Sequence, residues 1–208
     1  MNYRVWVLFL LWLPGWAAAS QCSLLIVGDS LSSGYGLANG SSWVDRLDAR
    51  LKKEAPAWRV VNASVSGDTT QNGLQRLQPA LNRQHPQGVL IELGGNDALR
   101  GIPLKVIRQN LVTMIRQAKA AGAWVALLEA PVLPNYGKPY ADAMAKLYVD
   151  VARQEKIVRV PCFVCGVGMS ASMMQADGIH PNEEAQSRML DAVWPTIQPK
   201  LRCPVKKP

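Results

Sequence analysis

Short apolar runs alternate with helix-like segments along most of this chain, and this alternation limits the possible folds more than any other feature. The runs have the length and the Val, Ile and Leu content of strands that are buried on both faces of a parallel sheet. They lie at residues 23–27, 58–61, 89–93, 124–128 and 157–160. Strands alternating with helices predict an α/β protein, a three-layer α/β/α sandwich with a mainly parallel sheet of about five strands.

The segments between these runs carry helix signals. Ser41 or Ser42 can cap a helix that has Trp43, Leu47 and Leu51 on one face. Pro103 is suited to open a long helix, and Gly122 to end it. The other predicted helices run from 69 to about 81, from 140 to 153 and from 183 to 197.

The first 19 residues have the pattern of a secretory signal peptide. Arg4 supplies the positive charge, residues 5–13 the apolar run and Ala17, Ala18 and Ala19 the small residues at a cleavage point. The run is shorter than the roughly 20 residues that cross a bilayer, so a membrane anchor is disfavoured. We expect cleavage after Ala19, a single domain at residues 20–208, and export to the periplasm or beyond.

The chain has four cysteines, an even number that suggests disulfides in an exported protein. Pairing Cys22 with Cys203 and Cys162 with Cys165 is one of three possible connectivities, and the sequence leaves all three open. Gln21 before Cys22 disfavours a lipoprotein, in which a small residue would stand there. The C-x-x-C segment follows a late strand, so a structural role is favoured over a thioredoxin-like or zinc site.

The net charge of +8 could attract nucleic acid or anionic lipid. The Lys and Arg residues are scattered, apart from Lys206 and Lys207, and no basic stripe interleaved with aromatic residues is present. A solvated basic surface is therefore favoured over a nucleic-acid site. We expect neither a nucleic-acid partner nor stable membrane insertion after cleavage, and a monomer.

Five residues that could take part in catalysis lie just after predicted strands or just before the last predicted helix. Ser30 comes after the first strand, Gly67 after the second and Asn96 after the third, while Asp177 and His180 precede the last helix. Because ligands bind beyond the carboxyl ends of parallel strands, we expect these segments to meet at one edge of the sheet. Taken singly, each residue could be a turn or cap residue. The single alternative base, His85, leads into a strand and belongs at the opposite edge.

The phrases GDSLSSGYG, VNASVSGDTT, LGGNDALRG and DGIHPN together resemble the SGNH (GDSL) hydrolases, and among these the bacterial periplasmic thioesterase I, lysophospholipase and arylesterase group. The resemblance covers the chain after the signal segment. It implies a catalytic triad of Ser30, His180 and Asp177. It also implies an oxyanion hole formed by the backbone N–H groups of Ser30 and Gly67 and the Asn96 amide, because such donors stabilise the developing oxyanion.

Three further acids, Asp29, Asp68 and Asp97, are also expected to line this site. Together they could suggest a cation site, but turn capping explains each of them more simply. We therefore expect no metal and no cofactor.

Apolar residues in the loops after strands three and four, and one beside the predicted base, could form an acyl groove or could simply pack their loops. They are Leu99, Ile102, Pro134, Tyr136 and Ile179. The resemblance implies an esterase, thioesterase or lysophospholipase. The alternatives are a carbohydrate O-deacetylase, in which Tyr35 or Phe163 would stack on sugar, and a non-catalytic envelope binding protein.

Overall fold

The computed structural model describes residues 21–167 and 171–203. Five strands form one sheet in the order β2-β1-β3-β4-β5, and every neighbouring pair is parallel. The strands are β1 (Cys22–Gly28), β2 (Trp58–Asn62), β3 (Gly88–Glu92), β4 (Trp124–Leu128) and β5 (Val158–Val160). The predicted fold class is therefore confirmed, and each predicted strand lies within one residue of the observed bounds.

Seven α-helices connect and cover the strands of the described part. They are α1 (Ser30–Ser33), α2 (Trp43–Glu54), α3 (Thr70–Gln84), α4 (Gly95–Leu99), α5 (Leu104–Ala120), α6 (Lys138–Glu155) and α7 (Ala185–Ile197). Short 3₁₀ helices occur at Pro134–Tyr136, Cys165–Val167, Ala171–Met173 and Gln198–Lys200. One apolar cluster packs α3, α5 and α6 against the sheet, and a second packs α2 and α7 against its other face, which gives the predicted three layers.

Two helices begin with reciprocal caps that fix where the chain leaves a loop. Ser42 accepts from the Asp45 N–H while the Asp45 carboxylate accepts from the Ser42 N–H, so Ser42 is the cap that the sequence left open between two serines. Thr69 and Asn72 make the same arrangement at α3. Each cap satisfies backbone N–H groups that the first helical turn leaves free.

Two disulfides are present among the described residues, Cys22–Cys203 and Cys162–Cys165. The first joins the start of β1 to the segment after α7, across 181 residues of chain. A cross-link over so long a loop removes much conformational freedom from the unfolded chain and stabilises the fold by about 4–5 kcal/mol in the chain-entropy estimate. Stable disulfides fit an oxidising compartment.

The predicted signal peptide, residues 1–19, lies outside the part of the chain that the structure describes. Within the described ranges, no helix has both the length and the apolar character needed to cross a membrane.

Candidate active site

Ser30 stands at the first position of α1, directly after the buried strand β1. The Asp29 carboxylate caps this short helix, because its Oδ1 accepts from the Leu31 N–H at 3.0 Å. Gly34 ends the helix in the left-handed conformation that glycine adopts without strain. The Ser30 side chain is thereby held at the carboxyl edge of the sheet, where the sequence predicted it.

His180 reaches Ser30 from a loop 150 residues further along the chain. Its Nε2 lies 2.8 Å from Ser30 Oγ, and its Nδ1 lies 2.6 Å from Asp177 Oδ2. The second oxygen of Asp177, Oδ1, accepts from the N–H groups of Ile179 and His180, at 2.9 and 3.0 Å. The structure therefore joins the three predicted triad residues in one chain of hydrogen bonds.

The Asp177 carboxylate is set up to remain an anion. The backbone N–H of His180, followed by the imidazole hydrogen bond, lowers the pKa of Asp177 to about 2. An anion only accepts hydrogen bonds, so it holds the imidazole hydrogen on Nδ1 and leaves Nε2 as an acceptor facing Ser30. This is the tautomer that a general base requires.

Tyr35 packs against the imidazole of His180. The two ring centroids lie 4.8 Å apart with an angle of 47° between the planes. Tyr35 comes from the loop between α1 and α2, and its carbonyl accepts from Gln175 Nε2 at 2.9 Å. The contact therefore fixes the ring from a side that the Asp177 and Ser30 hydrogen bonds do not control.

The predicted oxyanion donors also gather at this edge. Gly67 has φ +83°, a conformation that suits glycine, and an added Cβ would meet nothing closer than 3.9 Å. The backbone therefore requires glycine there, while the surrounding space does not. Within the described part of the chain the Gly67 N–H makes no hydrogen bond, and its carbonyl accepts from Arg100 at 2.9 Å. Asn96 lies on α4, and its Nδ2 donates to Asp29 Oδ2 at 3.1 Å.

Behind Ser30 lies a pair of buried acids, Asp29 and Glu92, which are 2% and 0% exposed. Burial raises the pKa of Asp29 to about 6, and the hydrogen bonds from Leu31 and Asn96 act in the opposite direction. Burial first, and the neighbouring charge of Asp29 second, raise the pKa of Glu92 well above its usual range. The sequence analysis did not single out Glu92, although an acid within the apolar run VLIEL was an available signal.

The other two acids that were expected to line the site have partners elsewhere. Asp97 is buried and accepts from the Thr70 N–H and hydroxyl at 2.8 and 2.5 Å, so it ties α4 to the start of α3. Asp68 pairs with the Arg76 guanidinium. The prediction that both acids line the site was wrong, because each meets a donor on α3 instead. Thr70, at the first position of α3, holds Asp97, and Arg76, further along the same helix, holds Asp68.

An apolar cavity of about 870 Å³ of empty volume, which includes open solvent, adjoins Ser30, Asn96 and His180. Its apolar lining includes Leu31, Leu99, Val132, Leu133, Tyr136 and Ile179. Leu99 and Ile179 remain 43% and 40% exposed, so apolar surface continues from the cavity onto its rim. This arrangement suits a ligand with an apolar chain.

Three of the predicted groove residues, Leu99, Tyr136 and Ile179, line this cavity. Ile102 instead packs against the core cluster of α5 and the sheet, so the structure does not bring it to the groove. The backbone of Pro134 lies in a 3₁₀ helix, and its side chain is outside what the structure describes.

Phe163, one of the two candidates for a sugar platform, is fully buried. Its ring packs edge-on against Trp43 at 5.6 Å, so it cannot meet a substrate. His85 caps the end of α3, before β3, and so lies at the opposite edge of the sheet as predicted. Within residues 21–167 and 171–203 there is no cluster of three or more His, Cys, Asp or Glu side chains that could hold a metal.

Residues 26–188 match the GDSL-like lipase/acylhydrolase family. The chain is 50% identical to Esterase TesA of Pseudomonas aeruginosa over 184 residues, which is 88% of this chain and 91% of that protein. It is 42% identical to thioesterase 1/protease 1/lysophospholipase L1 of Escherichia coli K12 over 193 residues, 92% of this chain and 90% of that one.

A solved structure, the crystal structure of TesA, superposes with a TM-score of 0.83 at 50% identity and covers 86% of this chain and 99% of its own. The similarity thus extends over most of this chain and nearly all of that one.

Proposed function

Because the chain belongs to the GDSL-like lipase/acylhydrolase family, we propose that it is a serine hydrolase that cleaves acyl esters and thioesters through an acyl-enzyme on Ser30. The observation that carries the proposal is the unbroken chain of hydrogen bonds from Ser30 Oγ through His180 to Asp177. A serine hydroxyl is a weak nucleophile by itself and needs an adjacent base.

In the first step, Ser30 Oγ attacks the substrate carbonyl carbon while His180 Nε2 takes the hydroxyl proton. A new C–O bond forms, and the carbonyl oxygen becomes an oxyanion. The Asp177 carboxylate stabilises the imidazolium that results without taking its proton. The 2.8 Å distance between Nε2 and Oγ allows direct proton transfer.

The oxyanion needs donors that are already in place. We assign this role to the N–H groups of Ser30 and Gly67 and to Asn96. The Asn96 amide nitrogen has two hydrogens, of which one is bound to Asp29 Oδ2, so the other remains for the oxyanion. None of these donors carries a net charge, so they stabilise the transition state without trapping a charged substrate.

Collapse of the tetrahedral intermediate breaks the bond to the leaving alcohol or thiol, which receives its proton from His180. A water molecule then repeats the sequence with His180 as its base. It releases the carboxylic acid and restores the Ser30 hydroxyl. The same imidazole acts as base and acid in both halves of the reaction.

The apolar cavity supports acyl chains longer than acetyl as substrates. Leu99, Tyr136 and Ile179 are proposed to contact the chain. An exported protein would not meet cytosolic acyl-CoA, so esters of envelope or external lipids are the proposed physiological class. The signal pattern of residues 1–19 and the two disulfides support a periplasmic or secreted location.

A carbohydrate O-deacetylase is the second candidate. Tyr35 favours it, because this ring is 52% exposed beside His180 and could stack on a sugar. Phe163, the other aromatic candidate, is buried and cannot stack on a sugar. The largely apolar lining of the cavity also disfavours this function, because sugar hydroxyls need polar partners.

The test is hydrolysis of p-nitrophenyl esters from acetyl to palmitoyl length by the mature protein and by its Ser30→Ala variant. A matched control is Ser187→Ala, since Ser187 is exposed on α7 and its hydroxyl accepts a hydrogen bond from Arg46 at 3.1 Å, its one side-chain partner among the described residues. We expect activity on medium and long chains in the wild type and in Ser187→Ala, and a loss of about 10,000-fold in Ser30→Ala.

Activity confined to the acetyl ester would favour the deacetylase. Unchanged activity in Ser30→Ala would overturn the assignment of the nucleophile. A fluorophosphonate label on Ser30 distinguishes a hydrolase from a binding protein, because a non-catalytic domain would not react there.

A further inference from the structure

Glu92 is an acid that the proposed reaction does not use, and its position is unusual. It ends β3 and pairs in register with Gly28 of β1, immediately before Asp29 and Ser30. It is fully buried, and the other four residues of β3 are apolar. A charged carboxylate in such a place is costly unless donors surround it.

The donors around Glu92 satisfy only one of its two oxygens. Oε2 accepts from the Ser32 hydroxyl at 2.8 Å and from the Asp29 N–H at 3.3 Å. Oε1 is buried and meets no donor among the described residues. Protonation resolves this, because a neutral carboxyl group has an O–H of its own to donate.

The acceptor available to that O–H is the carboxylate of Asp29, the residue whose backbone N–H already donates to Glu92 Oε2 at 3.3 Å. An interaction between the two carboxyl groups contributes to the raised pKa of Glu92. Among the other ionisable groups, His180 acts on Asp29, and Tyr148 lies close enough for the charges of Glu92, Asp97 and Asp29 to raise its pKa. Tyr148 donates its hydroxyl to the Leu93 carbonyl at 2.5 Å and so does not supply Glu92 with a donor.

The absence of a side chain at Gly28 leaves room for the Glu92 carboxyl group. A Cβ on Gly28 would lie 2.8 Å from Glu92 Oε2 and 2.8 Å from the Ser32 Cβ, too close for any side chain. Gly28 therefore leaves space for the carboxyl group directly behind the residue that precedes Ser30.

We propose that Glu92 is a positioning residue of the hydrolase. As a neutral acid it keeps its proton and donates a hydrogen bond to the Asp29 carboxylate, so that Asp29 stays an anion that only accepts. The anionic Asp29 then holds the Asn96 amide with its nitrogen toward the oxyanion. If Asp29 carried the proton, it could donate to the Asn96 oxygen. The amide would then turn over and present oxygen, an acceptor, where the oxyanion forms. The proposal rests on the function proposed above.

The test compares Glu92→Gln with Glu92→Met. Glutamine keeps a donor toward Asp29 and an acceptor toward Ser32, so we expect its kcat within about twofold of the wild type. Methionine keeps the bulk and removes both, and we expect kcat to fall about 10- to 100-fold with KM little changed, because the defect concerns transition-state donors. Equal losses in both variants, or none in Glu92→Met, would overturn the proposal.

A double-mutant cycle separates positioning from general damage. If Glu92 acts through Asn96, the Glu92→Met loss should disappear in an Asn96→Ala background. An undiminished loss in that background would contradict the proposal and show that Glu92→Met disturbs Ser30 directly.

Infrared spectroscopy tests the same idea without depending on activity. The wild type at mildly alkaline pH should show the carbonyl stretch of a protonated carboxylic acid, and Glu92→Gln should lack it. Absence of this band from the wild type would overturn the neutral Glu92. The esterase assay of wild type and Ser30→Ala reports separately on the proposed function.

Discussion

Carboxyl groups stand on two sides of Ser30, and their surroundings are opposite. Asp177 lies at the surface, where its side chain is 37% exposed, and it receives hydrogen bonds from two backbone N–H groups and the imidazole. Asp29 and Glu92 lie in the interior, where burial is the largest influence on the pKa of each. Donors lower the pKa of the outer acid, and desolvation raises the pKa of the inner pair.

Because of this difference, Asp177 and the buried pair Asp29 and Glu92 have different proposed roles. The outer acid is a permanent anion that faces the group expected to become positive, His180. The inner pair faces the group expected to become negative, the oxyanion, and acts on it through the neutral Asn96 amide. Two full negative charges beside the oxyanion would oppose catalysis, so a pair of carboxyl groups that shares one negative charge is the better arrangement.

The largest effect is expected at the base itself. His180→Asn removes the proton acceptor of Ser30 and should lower kcat/KM by about 10,000-fold with the fold intact. The matched control is His85→Asn at the end of α3, where φ is +42° and asparagine is well tolerated. Esterase assays and circular dichroism check both. Comparable losses in the two variants would show that histidine replacement harms the fold.

Asp177→Asn should come next, with kcat lowered about 1,000- to 10,000-fold, because the new amide donates to Nδ1 and places the imidazole hydrogen on Nε2. The asparagine oxygen can still accept from the Ile179 and His180 N–H groups, so the loop should persist. Ester kinetics with a measurement of melting temperature check this. Activity near that of the wild type would mean that the outer acid is not needed as an anion.

Asn96→Ala tests the inner side and should lower kcat about 100- to 1,000-fold with a small change in KM. Asp29 loses one donor in this variant and keeps the Leu31 N–H, so Ser30 and His180 should stay in place. Steady-state kinetics and fluorophosphonate labelling measure the two properties separately. A rise in KM alone would move Asn96 from the oxyanion hole to substrate binding.

Local patterns were enough to predict much of this molecule. The strands were recognisable as apolar runs because parallel strands are buried on both faces, and the signature residues follow the strands at positions that topology brings together. The predicted grouping of Ser30, His180 and Asp177 agrees with the structure, and their catalytic roles stay proposals.

Features set by distant partners could not be predicted in this way. Phe163 lies in a turn and is buried against Trp43 of α2, and Asp97 leaves the site because Thr70 provides two donors. Glu92 shows the same limit: its protonation depends on burial between strands and on Asp29, neither of which an isolated VLIEL segment reveals. The sequence supplied residue types, and tertiary contacts decided their surroundings.

The smallest expected effect concerns how the free energy of unfolding changes with pH. The contributions of Asp177 and Glu92 to it should change in opposite directions as pH rises. The pKa of Asp177 is lowered, so its contribution is present above the unfolded pKa near 3.9 and is lost as pH falls toward about 2. The pKa of Glu92 is raised, so the folded state keeps a proton that the unfolded chain releases, and stability falls as pH rises above about 4.

Each variant should remove one group's share of a slope. Asp177→Asn should make the acid side less steep, and Glu92→Gln should reduce the slope above pH 4 by up to about 1.4 kcal/mol per pH unit. The raised pKa of Asp29, about 6, leaves a remaining slope between about pH 4 and 6. Urea unfolding of both variants and the wild type across this range measures the free energy of unfolding. If Glu92→Gln left that slope unchanged, Glu92 would ionise in the folded protein as it does in the unfolded chain, and the contrast between the outer and inner acids would not hold.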